Sequence, residues 1–134
     1  MRMAISSCVV DLIHRAAAQA APEEACGLLF GVETRIERAN VAVNVAPDPR
    51  RHFEIDPAVL FAALRAERAG GERVLGYWHS HPSGEARPSQ TDATMAAGDG
   101  RFWLIFAGGV VTLWRARDDG ALYDRFDMVE FAIA

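Results

Sequence analysis

Apolar positions recur along this chain in two rhythms. Ile5, Val9, Leu12, Ile13, Ala16 and Ala20 follow helical spacing, with Asp11, Arg15 and Gln19 on the other side. The pattern predicts an amphipathic helix over residues 6–21, stopped ahead of Pro22, because the residue before a proline is pushed out of the helical region. Residues 25–32 are nearly continuous apolar, as in a strand buried on both faces. Residues 34–45 alternate, with Ile36, Ala39, Val41, Val43 and Val45 set against Arg35, Glu37, Arg38 and Asn44. They predict a second strand, antiparallel to the first. Ala46-Pro47-Asp48-Pro49 reads as a loop and residues 52–55 as a short strand. Asp56-Pro57 opens a helix, Asp as its N-cap and Pro in its first turn. That helix carries Val59, Leu60, Ala63, Leu64 and Glu67 and ends at Gly70-Gly71. Residues 74–79 read as a strand, and Ser89 to Asp92 as the first turn of a helix. Residues 102–106 and 110–115 form two strands joined at Gly108-Gly109. Asp118-Asp119-Gly120 reads as another hairpin turn, and residues 122–131 as a last strand with weak alternation.

This order of elements predicts an α/β (α+β) fold, a mixed and mostly antiparallel sheet flanked by helices. At 134 residues the expectation is a single domain over residues 1–134. Hydrophobic residues make up 51% of the chain, which excludes a disordered segment. A net charge of −4 with no basic run argues against nucleic-acid binding. No apolar run reaches the length of a membrane span. The N-terminal stretch imitates a signal peptide, but Asp11, His14 and Arg15 interrupt it. Cys8 and Cys26 make no disulfide framework, so reduced thiols in the cytoplasm are expected.

The chemistry gathers in GYWHSHPSGEARPSQTD, residues 76–92. His79 and His81 lie two apart on the predicted strand, and such residues face the same side. Pro82-Ser83-Gly84 turns the chain, and the helix opened by Ser89 brings in Asp92. Two imidazoles and a carboxylate are the three protein ligands of a catalytic zinc, with one position left for water. Ser89 and Asp92 also fit a capping box, in which both side chains satisfy backbone N–H groups.

With the upstream Glu24-Ala25-Cys26-Gly27, the order resembles the JAMM/MPN metalloprotease family. That family's pattern is a glutamate in E-x-x-G, then H-[ST]-H-P, seven residues, Ser, two residues and Asp. His79-Ser80-His81-Pro82, residues 82–88, Ser89 and Asp92 reproduce it. The segment from Pro22 to Gly31 is similar to the short bacterial members. The resemblance implies a curved sheet in a cytidine-deaminase-like architecture, although the deaminases' own zinc signature is absent. It also implies one Zn2+ per chain held by His79, His81 and Asp92. Glu24 would be the general base, with Glu23 as the alternative, and Ser89 the oxyanion donor. The implied reaction is hydrolysis of an amide or isopeptide bond after the C-terminal Gly-Gly of a ubiquitin-like sulfur-carrier protein. Two other readings stay open: a phage tail-assembly peptidase, and a non-catalytic MPN interaction module. The oligomeric state is also open, a homodimer included.

Other residues weigh less. Cys26 would share the face of Glu24, and a core thiol is its simpler role. Tyr77 shares the face of the histidines, and Arg87 lies in the loop beside the site. Trp78, Trp103 and Trp114 fit core or interface packing. His14 reads as a surface residue, and His52, beside Arg50-Arg51, as a solvated strand edge.

Overall fold

A computed structural model describes residues 2–134. Its strands are β1 (Met3–Ile5), β2 (Cys26–Val32), β3 (Arg35–Ala39), β4 (Arg73–Ser80), β5 (Asp99–Ala107), β6 (Val110–Gly120), β7 (Asp124–Val129) and β8 (Phe131–Ile133). Its helices are α1 (Ser7–Ala20), α2 (Pro57–Arg68) and α3 (Gln90–Met95). All eight strands join one sheet in the order β7-β6-β5-β4-β2-β3-β1-β8. Pairs β2–β3, β2–β4, β5–β6 and β6–β7 are antiparallel. Pairs β1–β3, β1–β8 and β4–β5 are parallel. The fold is thus mixed α+β with a mainly antiparallel sheet, as the pattern predicts.

Alternation along the strands sorts the core into two layers. On one face, Val9, Ile13 and Ala16 of α1 pack against Leu29, Ile36, Trp78 and Leu104. On the other, Leu60, Ala63 and Leu64 of α2 cover Leu28, Phe30 and Val74, while Ala93 of α3 and Ala96 at its end meet Trp103, Ile105 and Phe126. Each apolar side chain buried this way contributes roughly 1.5–3 kcal/mol. All three tryptophans are buried, as core packing requires. Asp56 caps α2 by accepting the Ala58 N–H at 2.9 Å. Among the described residues no helix is long and apolar enough to cross a membrane.

The structure departs from the pattern in four places. The strand expected over 34–45 ends at Ala39. Beyond it Ala42 keeps the register of Ala39, opposite Cys26 as Ala39 is opposite Leu29, while Val41, Val43 and Val45 are exposed. The register shift of the β2–β3 pair lies earlier, between Ile36 and Arg38. Asn40 interrupts the ladder: its Oδ1 accepts the Leu28 N–H at 2.7 Å, and its carbonyl accepts the Trp78 indole N–H at 2.7 Å. Residues 52–55 make no strand, only a bridge between Asn44 and Ile55. Asp118-Asp119-Gly120 is not a turn: β6 runs through Gly120, which pairs with Asp124, and the turn falls at 121–123. The segment 122–131 divides into β7 and β8, and β8 crosses to the far edge to pair with β1, a strand the alternation did not announce.

Candidate metal centre

The site stands at the C-terminal end of β4, beside the entry to β2. Antiparallel pairing sets Cys26 opposite His79. Glu24, two residues before Cys26, is therefore carried to His81, two residues after His79. Reciprocal bonds extend the pairing beyond the strand: Ser80 N–H to the Ala25 carbonyl at 3.0 Å, and Ala25 N–H to Ser80 Oγ at 2.8 Å. Gly27 allows the close fit behind this register. A Cβ there would collide with the Asn40 carbonyl and the Trp78 indole nitrogen.

Three atoms converge. His79 Nε2 lies 2.9 Å from His81 Nε2, and Asp92 Oδ2 lies 3.1 Å from the first and 3.2 Å from the second. His81 Nδ1–H donates to the Glu85 carbonyl at 2.8 Å, which leaves its Nε2 a bare lone pair. Asp92 Oδ2 also accepts the Ser89 N–H at 2.9 Å, and Ser89 Oγ accepts the Asp92 N–H at 3.0 Å. The capping box is thus real and also aims the carboxylate. It uses Ser89 Oγ as an acceptor and leaves the hydroxyl proton available. His79 is fully buried, stacked on Phe53 with ring centroids 4.2 Å apart and edge-on to Trp103 at 5.7 Å.

A carboxylate oxygen of Glu24 lies within 4.8 Å of the histidine ligand nitrogens. Glu24 Oε1 is buried with no hydrogen-bond partner among the described residues. Burial pushes its carboxyl up to about 7, with nearby His81 opposing and Asp92 adding to the rise. For Asp92, burial raises the carboxyl, but the His79 and His81 contacts and the Ser89 N–H hold it well below the ordinary range. Burial lowers His79 despite Asp92. His81 is lowered by burial, but its bonds to Asp92 and the Glu85 carbonyl bring it above its usual value. The Cys26 thiol, whose Sγ faces the Ala42 carbonyl at 3.7 Å, is pushed up to about 12 by burial and then by Glu24.

The donor set fits a zinc-sized cation. Tetrahedral ligands at 2.0–2.1 Å from zinc stand about 3.3 Å from one another. Lone pairs crowded this closely repel unless a cation or shared protons lie among them, and His81 has already given its Nδ1 proton elsewhere.

Among the other residues, Tyr77 is half-buried and edge-on to Trp103, centroids 5.8 Å apart, lining an apolar cavity with Phe53 and Leu60 away from the ligand atoms. Arg87 is exposed, 4.0 Å from Glu85. His14 is exposed and edge-on to Phe106 at 5.0 Å. Glu23 is exposed. Sequence reasoning missed Asn44, whose Nδ2 donates to the carbonyls of Glu24 at 3.0 Å and His52 at 2.9 Å. It read His52, beside Arg50 and Arg51, as a solvated strand edge; His52 is instead half-buried and outside any strand, and the two arginines line the cleft with Glu24, His81 and Ser89.

A model of prokaryotic homologues of the JAB domain matches residues 6–118. Over 86 residues the chain is 36% identical to a desampylase of Haloferax volcanii, covering 63% of this chain and 62% of that protein. Over 72 residues it is 40% identical to a probable TtuB-protein conjugate cleaving protease of Thermus thermophilus, covering 54% of this chain and 48% of that one. It thus spans 48–62% of the length of these curated relatives. A solved protein from Desulfitobacterium hafniense has a TM-score of 0.82 at 28% identity, over 98% of this chain and 92% of that one.

Proposed function

This chain belongs to the family of prokaryotic JAB-domain proteins, and from that premise we propose that it is a zinc peptidase acting on a ubiquitin-like sulfur-carrier protein. The scissile bond is the amide after the carrier's C-terminal Gly-Gly. His79, His81 and Asp92 would hold the zinc. Bound there, zinc acidifies water and polarises a carbonyl. Glu24 takes a proton from the attacking water as the new C–O bond forms. It then delivers that proton to the leaving nitrogen as the C–N bond breaks. The Ser89 hydroxyl donates to the oxyanion of the tetrahedral intermediate. The products are a carrier ending in Gly-Gly and a free amine.

One observation carries the reading. A buried carboxyl, Glu24, with one oxygen lacking a hydrogen-bond partner among the described residues and raised to about 7 by burial, lies within 4.8 Å of ring nitrogens of His79 and His81. A group that must accept a proton and then release it works best with a pKa near the working pH. The names of the curated relatives support the substrate class. The two free thiols support a cytoplasmic setting.

The test is cleavage of a Gly-Gly-linked ubiquitin-fold conjugate by zinc-loaded protein, with and without chelator, beside Glu24→Gln. Cleavage lost with chelator and in the variant, while zinc stays bound in the variant, is the expected result. Cleavage that persists in Glu24→Gln removes Glu24 from the mechanism, and cleavage indifferent to chelator removes the metal.

A further inference from the structure

Arg50 and Arg51 follow a proline loop with no obvious role, yet the structure ties that loop to the general base. Glu24 N–H donates to the Pro49 carbonyl at 2.7 Å, and Asn44 Nδ2 binds the Glu24 and His52 carbonyls on either side. Asn44 Oδ1 accepts the Ala46 and Glu54 N–H groups at 3.0 and 3.1 Å. The backbone bearing both arginines is therefore held in register with Glu24 by one side chain. Both line an open cavity of about 220 Å³ with Glu24, His81 and Ser89. Neither is neutralised: Arg50 makes no ion pair among the described residues. Arg51 makes only a long one, 3.9 Å to Asp48, with 82% and 52% of the two side chains exposed.

On the peptidase reading above, the leaving nitrogen sits next to Glu24. If the leaving group is an α-amino acid, its carboxylate is one carbon away from that nitrogen and needs a cationic partner. Arg50 and Arg51 are the two guanidinium groups that line the cavity beside Glu24. We propose that Arg50 and Arg51 form a carboxylate-binding pair that selects, as leaving group, a single amino acid whose α-carboxylate is free. Arginine suits the task because its planar fork matches a carboxylate in two parallel hydrogen bonds. The enzyme then removes one terminal residue from the Gly-Gly end in preference to an internal or lysine-linked bond.

The test uses two fluorescent peptides without acidic side chains, both ending in Gly-Gly-Ala, one with a free carboxylate and one as the carboxamide. Hydrolysis is followed with zinc-loaded wild type and the Arg50→Ala/Arg51→Ala protein. Binding of both peptides is followed by anisotropy on Glu24→Gln, with and without the arginine substitutions. We expect the free acid to be preferred by roughly tenfold in kcat/KM and in affinity. The double variant should erase that preference through KM, and Arg50→Lys/Arg51→Lys should restore part of it. Equal treatment of the two peptides by wild type, or a preference that survives in the double variant, overturns the proposal. An equal loss on both peptides also overturns it, assigning the arginines to the peptide backbone. If neither peptide is hydrolysed, the peptidase reading falls, while the binding ratio still judges the arginine pair.

Discussion

Glu24→Gln should reshape the pH dependence of stability in the metal-free protein. The Glu24 carboxyl is raised from the ordinary 4.5 to about 7 by burial. Between those values the native protein keeps a proton that the unfolded chain has lost. The native state then binds more protons, so stability falls as pH rises through the window. The contribution is complete below 4.5 and gone above 7. At 1.36 kcal/mol per pKa unit, the swing is about 3 kcal/mol. Glutamine carries no proton to lose, so its curve lacks this slope. It does bury an amide without partners, which costs about 1–3 kcal/mol at every pH. The informative quantity is therefore the change in the wild-type-to-variant difference, in which that constant cost cancels.

The assay is urea unfolding in chelator, from pH 4 to 8, on both proteins. Relative to wild type, Glu24→Gln should gain about 3 kcal/mol across that range. Most of the gain should fall between the two pKa values. Adding zinc should shrink it, because a neighbouring cation favours the ionised carboxylate. Parallel curves for the two proteins would refute the reasoning, since Glu24 would then titrate alike in the folded and unfolded chain. The expected result would also mean that the protein tolerates a destabilising carboxylate at the point where the chemistry needs a base.

The other predictions separate roles that overlap in one residue. Ser89→Gly keeps most of the cap, at a cost of a few tenths of a kcal/mol, but removes the proposed oxyanion donor. Turnover should fall about 10²–10³-fold with little change in thermal unfolding, and turnover within a fewfold of wild type would discard that role. His81→Ala should leave the protein without zinc by elemental analysis. Excess zinc at about a thousand times Kd should stabilise wild type by about 4 kcal/mol and the variant by nothing. In thiol labelling, exposed Cys8 should react at once and Cys26, held protonated to about pH 12, only after unfolding. Two fast thiols would contradict the buried placement. Gly27→Ala should cost more than about 2 kcal/mol in denaturant unfolding, because backbone on one side and an indole on the other leave its Cβ no space.

Much of the site can be read in the sequence because its parts are local. His79 and His81 share a strand face, and Ser89 with Asp92 forms a capping box whose partners are three residues apart. Glu24 is more distant, and a family resemblance was needed to place it. The approach of Arg50 and Arg51 to Glu24 could not be read because it depends on Asn44, and a lone asparagine in an alternating segment reads as a polar filler. The same kind of residue hid the end of β3 at Asn40. Its side chain replaces a strand's hydrogen bond to Leu28, and hydrophobic alternation carries no record of such a bond. β1 and β8 are three residues each, too short for a period to be counted.

What the chemistry asks of the fold at long range is one register, β2 against β4. Moving Cys26 one residue away from His79 would turn Glu24 to the opposite face, since side chains alternate. Three features hold that register within a few residues of the site. Ser80 and Ala25 bond reciprocally, Gly27 admits Asn40 and Trp78 at its back, and Asn44 ties the Glu24 carbonyl to the next loop. The sheet's irregularity is displaced from this end: the β2–β4 register shifts between Leu29 and Phe30, toward the far end of the pair. A bulge adds twist and reorients whatever follows it. Here the twist accumulates beyond the site, so Glu24 and His81 remain matched while the sheet curves away beneath α2. Weakening the Ser80–Ala25 clasp, as in Ser80→Ala, should therefore lower kcat more than stability alone accounts for, because the base loses its alignment before the core loses its packing.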